Sequence, residues 1–122
     1  MKGALMAMRE VPVYLFTGFL DAGKTTFIQE TLEDPQFNSG EKTLLLMCEE
    51  GETEFCPLSF ASTNVKIISV DEEETITTEY LKKLEKEIGF ERVVIEYNGM
   101  WMIDSLYQKL PENWVVYQEM AF

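Results

Sequence analysis

The sequence predicts an α/β fold in three layers, with helices on both faces of a mostly parallel β-sheet. Short apolar segments alternate along the chain with longer amphipathic ones, and this alternation is typical of βαβ units. The apolar segments are hydrophobic at nearly every position, as expected for strands that are covered on both faces. A chain of 122 residues is long enough for one domain with a single core. We therefore expect residues 1–10 to be a tail and residues 11–122 to form that domain.

The first part of the chain predicts a strand, a helix and a second strand. Val11–Phe16 is apolar, β-branched and aromatic, and a Thr-Gly pair follows it, which favours a buried strand. Lys24–Glu33 is polar with one apolar side and stops before Asp34 and Pro35, which predicts a helix that ends there. Thr43–Cys48 is apolar almost throughout and predicts the second strand.

The middle of the chain continues the alternation. Residues 49–64 show no clear period and predict a loop with one helical turn. Val65–Val70 predicts the third strand and Val93–Glu96 the fourth. A helix is predicted between them. Its apolar face is formed by Tyr80, Leu81, Leu84 and Ile88, and Gly89 stands at its C-terminal cap position.

The last segments predict one more helix and one more strand. Trp101–Leu110 has a helical pattern that Pro111 ends, and Trp114–Tyr117 begins a fifth strand. Trp101 and the methionines on either side of it come directly after Gly99 and could move with a switch segment, but we expect them to pack in the core. Because the chain stops just after the fifth strand, we also expect the fold to be incomplete at its C-terminal end.

The composition excludes several classes of protein. A net charge of −12, from 22 acidic and 10 basic residues, disfavours binding to a phosphodiester backbone. The absence of histidine excludes Ser-His-Asp and Cys-His catalysis and histidine-ligated metal sites from this region. The 2 cysteines do not make a disulfide framework, and no apolar run reaches the roughly 18 residues that span a bilayer. We therefore expect a cytoplasmic protein that binds neither nucleic acid nor membrane.

A phosphate-binding motif follows the first predicted strand and opens the first predicted helix. It fits G-x-x-x-x-G-K-[ST] and comprises Gly18, Phe19, Leu20, Asp21, Ala22, Gly23, Lys24 and Thr25, with Thr26 next to it. The glycines let the backbone approach phosphate oxygens, and loop N–H groups point at the anion. Lys24 supplies a charge for the β- and γ-phosphates and Thr25 a hydroxyl ligand for Mg²⁺. The motif therefore predicts a site for a Mg²⁺-bound nucleoside triphosphate.

An acid at the end of the fourth strand completes the predicted site. Glu96 ends a buried strand, so it should lie at the carboxyl edge of the sheet beside the phosphate loop and hold Mg²⁺ through water. Gly99 follows three residues later and can bring its N–H close to a γ-phosphate. Glu49, Glu50 and Glu52 follow the second strand and could orient a water or hold Mg²⁺ through water, although a solvated acidic loop explains them equally well.

These segments resemble the CobW/HypB/UreG group of P-loop GTPases, most closely its CobW-like branch. Thr17–Thr26 resembles the phosphate loop of that branch, with Asp21 in place of a usual glycine. Val94–Gly99 resembles its VIE-x-x-G element, and Cys48–Glu52 resembles its acidic N-E-x-G-E switch segment. The resemblance covers about 100 residues, from Val11 to Val116.

The resemblance implies GTP binding, slow hydrolysis coupled to a switch, and delivery of a metal to a metalloprotein client. The family's C-x-C-C metal motif, its guanine-reading N-K-x-D element and its C-terminal domain do not occur in this chain. Cys48 and Cys56 with the nearby acids could hold a transition metal such as Zn²⁺, but buried or incidental thiols explain them better. We therefore expect a nucleotide-binding domain that lacks the base-recognition part.

Three functions remain open from the sequence. The first is a GTPase in which hydrolysis resets a switch, and the second is a module that binds nucleotide and a partner without hydrolysis. The third is an ATP-dependent enzyme such as a small-molecule kinase, which generally needs several arginines near the transferred phosphate, whereas this chain contains only Arg9 and Arg92. An exposed sheet edge also makes a homodimer possible.

Overall fold

The computed structural model of the protein describes residues 9–18, 23–48 and 55–122. Several residues with predicted roles lie outside these ranges, as does most of the predicted tail. These residues are Phe19, Leu20, Asp21, Ala22, Glu49, Glu50 and Glu52. The described residues form five strands and three α-helices. The strands are β1 (Val11–Thr17), β2 (Thr43–Met47), β3 (Val65–Ser69), β4 (Arg92–Glu96) and β5 (Trp114–Ala121), and the helices are α1 (Lys24–Glu33), α2 (Thr78–Ile88) and α3 (Ile103–Lys109).

The five strands form one sheet in the order β3-β2-β4-β1-β5. Every neighbouring pair is parallel, so the prediction of a mostly parallel sheet is confirmed and the described sheet is parallel throughout. Strand β1 lies between β4 and β5. Because the strands are parallel, all of their carboxyl ends lie along one edge, where the loops that carry ligands emerge.

The helices cover both faces of the sheet and give the three predicted layers. Helices α2 and α3 pack on one face through Leu81, Leu84 and Leu106. Helix α1 packs on the other face through Ile28 and Leu32. Alternate residues of the central strands fill the two resulting cores, as the pleat of a strand requires, and we call these the α2/α3 face and the α1 face.

The helix boundaries follow local capping chemistry. Helix α2 begins after Thr77, whose hydroxyl accepts a hydrogen bond from the N–H of Tyr80, and ends at Gly89 in the left-handed conformation. The predicted cap at Gly89 is therefore confirmed. Helix α3 begins at Ile103 rather than at the predicted Trp101, because the chain first makes a turn in which the N–H of Trp101 donates to the carbonyl of Asn98.

Arg92 stabilises the amino edge of the sheet. Its guanidinium donates to the hydroxyl of Thr43 at 2.8 Å and to the carbonyl of Phe37 at 2.7 Å, and it lies 4.0 Å from the centre of the Phe37 ring. Glu41 lies 3.6 Å away as an exposed ionic partner. Burial is the main cause that lowers the pKa of Arg92. The Arg92 side chain therefore stabilises the fold at the amino edge of the sheet, which is opposite the carboxyl ends of the strands.

None of the helices within the described ranges is long and apolar enough to cross a membrane.

Candidate functional site

The predicted site residues converge at the carboxyl ends of β1 and β4. These strands pair in parallel with Phe16 opposite Glu96, so Gly18 and Glu96 leave the sheet side by side. The N–H of Tyr97 donates to the carbonyl of Phe16 at 2.8 Å and extends this pairing past the end of β4. The two predicted motifs, far apart in sequence, therefore meet at one point of the sheet.

Two glycines of the motif adopt backbone conformations that other residues rarely take. Gly18 has a φ of 133° where the chain leaves β1, and Gly23 has a φ of 91° where α1 begins. Only glycine adopts such angles without steric cost. An ideal Cβ at Gly23 would meet nothing within 4 Å, whereas one at Gly18 would lie 2.6 Å from the carbonyl oxygen of Phe122. Gly18 is therefore required both for its backbone angle and for its small size.

We expect Gly18→Ala to destabilise the fold by about 2–4 kcal/mol, because it adds a clash to an unfavourable backbone angle. Gly89→Ala is the matched control, since Gly89 also has a positive φ, of 73°, but open space around its Cβ position. That control should cost only about 1–2 kcal/mol. Urea unfolding measures both free energies of unfolding, and equal values for the two variants would contradict the close contact between Gly18 and Phe122.

Lys24 is buried at the first position of α1. Its side chain is 2% exposed, and its ammonium donates to the carbonyl of Gly18 at 2.6 Å and to the carbonyl of Tyr97 at 3.2 Å. The cation thus lies between the start of the phosphate loop and the residue after Glu96. A lysine in this place can exchange carbonyl partners for phosphate oxygens, because an ammonium is a compact point charge on a flexible stem.

Thr25 and Glu96 form the polar centre of the site. The hydroxyl of Thr25 donates to the carboxylate of Glu96, which is 2% exposed. Alternation along β4 explains the contact, since Val94 faces the α1 side of the sheet and Glu96 must face the same way. A hydroxyl and a carboxylate in contact are oxygen ligands of the kind that Mg²⁺ prefers, so these residues fit that ion.

The predicted Gly99 lies in the loop between β4 and α3. It lines a cavity of about 330 Å³ together with Thr17, Gly18, Tyr97, Asn98, Trp101, Met102, Ile103 and Asp104. The loop is shaped by local contacts: the Asn98 side chain accepts from the N–H of Met100 at 2.8 Å, and the Tyr97 hydroxyl donates to the carbonyl of Met102 at 3.3 Å. Gly99 is therefore held close to the beginning of the phosphate loop.

Tyr97 supports this loop from below. Its ring is 2% exposed and packs edge to face on Trp101, with ring centres 5.5 Å apart. Burial is the main cause that raises the pKa of its phenol, so Tyr97 is a neutral hydrogen-bond donor at physiological pH. The expectation that the methionines beside Trp101 pack in the core is wrong, because Met100 is 79% and Met102 69% exposed.

Sequence reasoning missed Gln29, which connects α1 to the chain after the acidic segment. Its side-chain amide accepts from the N–H of Cys56 at 2.9 Å and donates to the carbonyl of Cys56 at 3.1 Å. On the other side of that segment, the N–H of Cys48 donates to the carbonyl of Glu96 at 2.8 Å. Both flanks are thus tied to elements of the site. A half-buried glutamine in a helix gives no sequence signal for such a contact.

The cysteines lie in different environments. Cys48 is buried and Cys56 is exposed, and neither is in a disulfide. Among residues 9–18, 23–48 and 55–122, no group of three or more histidines, cysteines or acids could hold a metal ion. The predicted transition-metal site also needed acids of the segment outside these residues, so the described part of the chain gives it no support.

A strand that leads through a glycine-bounded loop into a helix, beside a strand that ends in an acid, defines the class of P-loop nucleotide-binding proteins. The chain matches the family model described as CobW/HypB/UreG, nucleotide-binding domain, over residues 12–110. The protein therefore belongs to the CobW/HypB/UreG family, as its motifs suggested. No curated protein and no solved structure matches the chain.

Proposed function

We propose that the protein binds Mg²⁺-GTP and hydrolyses it slowly as a switch in metal handling. The single observation that carries the proposal is the cluster of Lys24, Thr25 and Glu96 at the carboxyl ends of two adjacent parallel strands. GTP, rather than another nucleoside triphosphate, follows from membership of the family. A role in metal insertion or trafficking, with a metalloprotein as client, follows from the same membership.

Each residue of the cluster has a distinct task in this proposal. Lys24 neutralises charge on the β- and γ-phosphates after it gives up its carbonyl partners. The hydroxyl of Thr25 and, through water, the carboxylate of Glu96 hold Mg²⁺. When bound, this ion neutralises charge that develops on the phosphate oxygens. Gly18, Gly23 and Thr26 offer backbone N–H groups to the phosphates, as do residues 19–22, and Gly99 offers one to the γ-phosphate.

The positions of the arginines support slow hydrolysis. An arginine that stabilises the transferred phosphate accelerates hydrolysis by about 10³- to 10⁵-fold in related chemistry. The sequence contains only Arg9 and Arg92. Arg9 precedes β1 and Arg92 begins β4, so both lie toward the amino edge, opposite the site. We propose that Glu49 and Glu50 orient the attacking water. Their segment lies between Cys48, which is hydrogen-bonded to Glu96, and Cys56, which is hydrogen-bonded to helix α1, so it begins and ends close to the site.

The positions of the arginines also favour one alternative, a module that binds nucleotide and a partner but does not hydrolyse the nucleotide. Without an arginine at the carboxyl edge, turnover depends on groups that a partner would supply. A small-molecule kinase is disfavoured by the same positions of the arginines. Hydrolysis therefore has to be measured under single-turnover conditions, where a slow step is not hidden.

The test is to mix excess protein with Mg²⁺-GTP and to follow phosphate release, with calorimetry on the same sample to measure the dissociation constant. We expect binding that requires Mg²⁺ and release at a slow rate, on the order of that of GTPases without an arginine finger. A chelator is the control and should abolish both signals. Binding without phosphate release would establish the non-hydrolysing module, and absence of binding would contradict the proposal as a whole.

A further inference from the structure

Two phenylalanines lie together beside the phosphate loop. Phe27 is in the first turn of α1 and is 36% exposed. Phe122 follows β5, and the centres of the two rings are 5.5 Å apart. Phe16 packs against both, with ring centres at 5.7 Å and 6.3 Å. The pair is therefore held from the side of the sheet, while Phe27 presents part of its ring to solvent.

The backbone of Phe122 lies against the start of the phosphate loop. Its N–H donates to the carbonyl of Thr17 at 2.9 Å. Its carbonyl oxygen is so close to Gly18 that an ideal Cβ there would lie 2.6 Å away. The aromatic pair is thus next to the residues that would cradle phosphates, on the side of β1 that faces β5.

The sheet order gives a bound nucleotide its direction. Glu96 lies on β4, on one side of β1, and together with Thr25 it would hold the Mg²⁺ of a bound nucleoside triphosphate. The terminal phosphate would therefore lie on the β4 side of the loop. The opposite end of the ligand, which carries the ribose and the base, must extend toward the β5 side. Phe27 and Phe122 lie on that side of β1.

We propose that Phe27, supported by Phe122, is a stacking platform for the base of the bound nucleotide. This inference rests on the proposed function and names how the nucleoside is held. An aromatic ring binds any base through its π-face, so stacking adds affinity without distinguishing guanine from adenine. The platform thus contributes to binding of the nucleoside, and selection of the base depends on hydrogen-bonding groups elsewhere.

The test compares two ligands that share the triphosphate but not the base. Calorimetry measures the dissociation constants of Mg²⁺-GTP and Mg²⁺-tripolyphosphate for the wild type and for Phe27→Leu, which keeps an apolar side chain against Phe16 but removes the ring. We expect Phe27→Leu to weaken GTP binding by about 10-fold and to leave tripolyphosphate binding unchanged. ATP should lose affinity by the same factor as GTP.

Two further variants control for indirect effects. Phe27→Tyr keeps the ring and should retain GTP affinity. Tyr117→Leu removes an aromatic ring that is 55% exposed on β5 but packs on Tyr14, nearer the middle of the sheet, and should change neither affinity. Unchanged GTP binding by Phe27→Leu, or an equal loss for tripolyphosphate, would overturn the inference. If the wild type bound neither ligand, the proposed function would fail, and the inference with it.

Discussion

Lys24→Ala should lose most of its affinity for Mg²⁺-GTP while the protein stays folded. Removing a buried charge that contacts an ionised ligand costs about 2–5 kcal/mol, which is roughly a 30- to 5,000-fold increase in the dissociation constant. The ammonium lies between the carbonyls of Gly18 and Tyr97, where it can reach a phosphate without a large movement. Calorimetry with GTP and with tripolyphosphate should show the same loss, because Lys24 contacts only the phosphates in the proposed complex.

The fold should tolerate this substitution, because the variant no longer buries a charge and this offsets part of the hydrogen-bond energy that is lost. Each hydrogen bond from the Lys24 ammonium to the carbonyls of Gly18 and Tyr97 contributes about 1.5–3 kcal/mol, as is usual for bonds from a charged donor. Thermal unfolding of the variant therefore accompanies the binding measurement. Lys83→Ala is the control, because Lys83 is an exposed lysine on α2. Unchanged GTP affinity of a folded Lys24→Ala protein would show that the phosphates bind elsewhere.

Glu96→Gln should abolish most of the hydrolysis while GTP binding is weakened far less. The substitution keeps the shape of the side chain and an oxygen acceptor for the hydroxyl of Thr25, but it removes the charge that Mg²⁺ requires. Loss of a group that acts on a metal through water or a neighbouring ligand lowers activity by about 10- to 100-fold. We expect the larger value, since Glu96 is almost completely buried and the described residues form no cluster of three acids that could take over its task.

Single-turnover phosphate release measures this effect, and the Mg²⁺ concentration at half-maximal rate separates its causes. If Glu96 helps to hold the ion, Glu96→Gln should need more Mg²⁺ and should recover part of the lost rate at high Mg²⁺. Glu85→Gln, on α2, is the control. Glu85 accepts hydrogen bonds from Asn113 and Trp114 at the amino end of β5, so it lies away from the site. Identical rates for Glu96→Gln and the wild type would remove Glu96 from the mechanism.

The sequence was sufficient to predict most of the fold, because β1, β2 and β4 are largely apolar and because Pro35, Gly89 and Pro111 mark the ends of the helices. Position 96 was predictable because one acidic side chain ends an otherwise buried strand, and an acid so placed lies at the sheet edge where ligands bind. The parallel pairing of β1 with β4 then brings Glu96 to Thr25, which local sequence alone could not place. Strand order depends on contacts between residues far apart in the chain.

The predictions that failed concern residues whose environment depends on long-range packing. Met100 and Met102 are apolar and flank a tryptophan, so a buried position was the natural expectation, but the turn at Asn98 directs both toward solvent. The structural role of Arg92 was not predicted from the sequence. Its contacts with Thr43 and Phe37 result from the pairing of β4 with β2. Gln29 gave no signal, because its partner is a distant backbone peptide.

The 2 tryptophans of the chain lie at opposite ends of the sheet, and this gives the protein separate optical probes. Trp101 follows Gly99 and lines the cavity beside the phosphate loop, so its emission reports on events around the ligand. Trp114 is buried at the beginning of β5, where it packs on Phe90 and donates to Glu85 at 2.8 Å, so its emission reports on unfolding. Replacing either indole by phenylalanine leaves a single tryptophan, whose fluorescence can be followed in stopped-flow experiments without any attached dye.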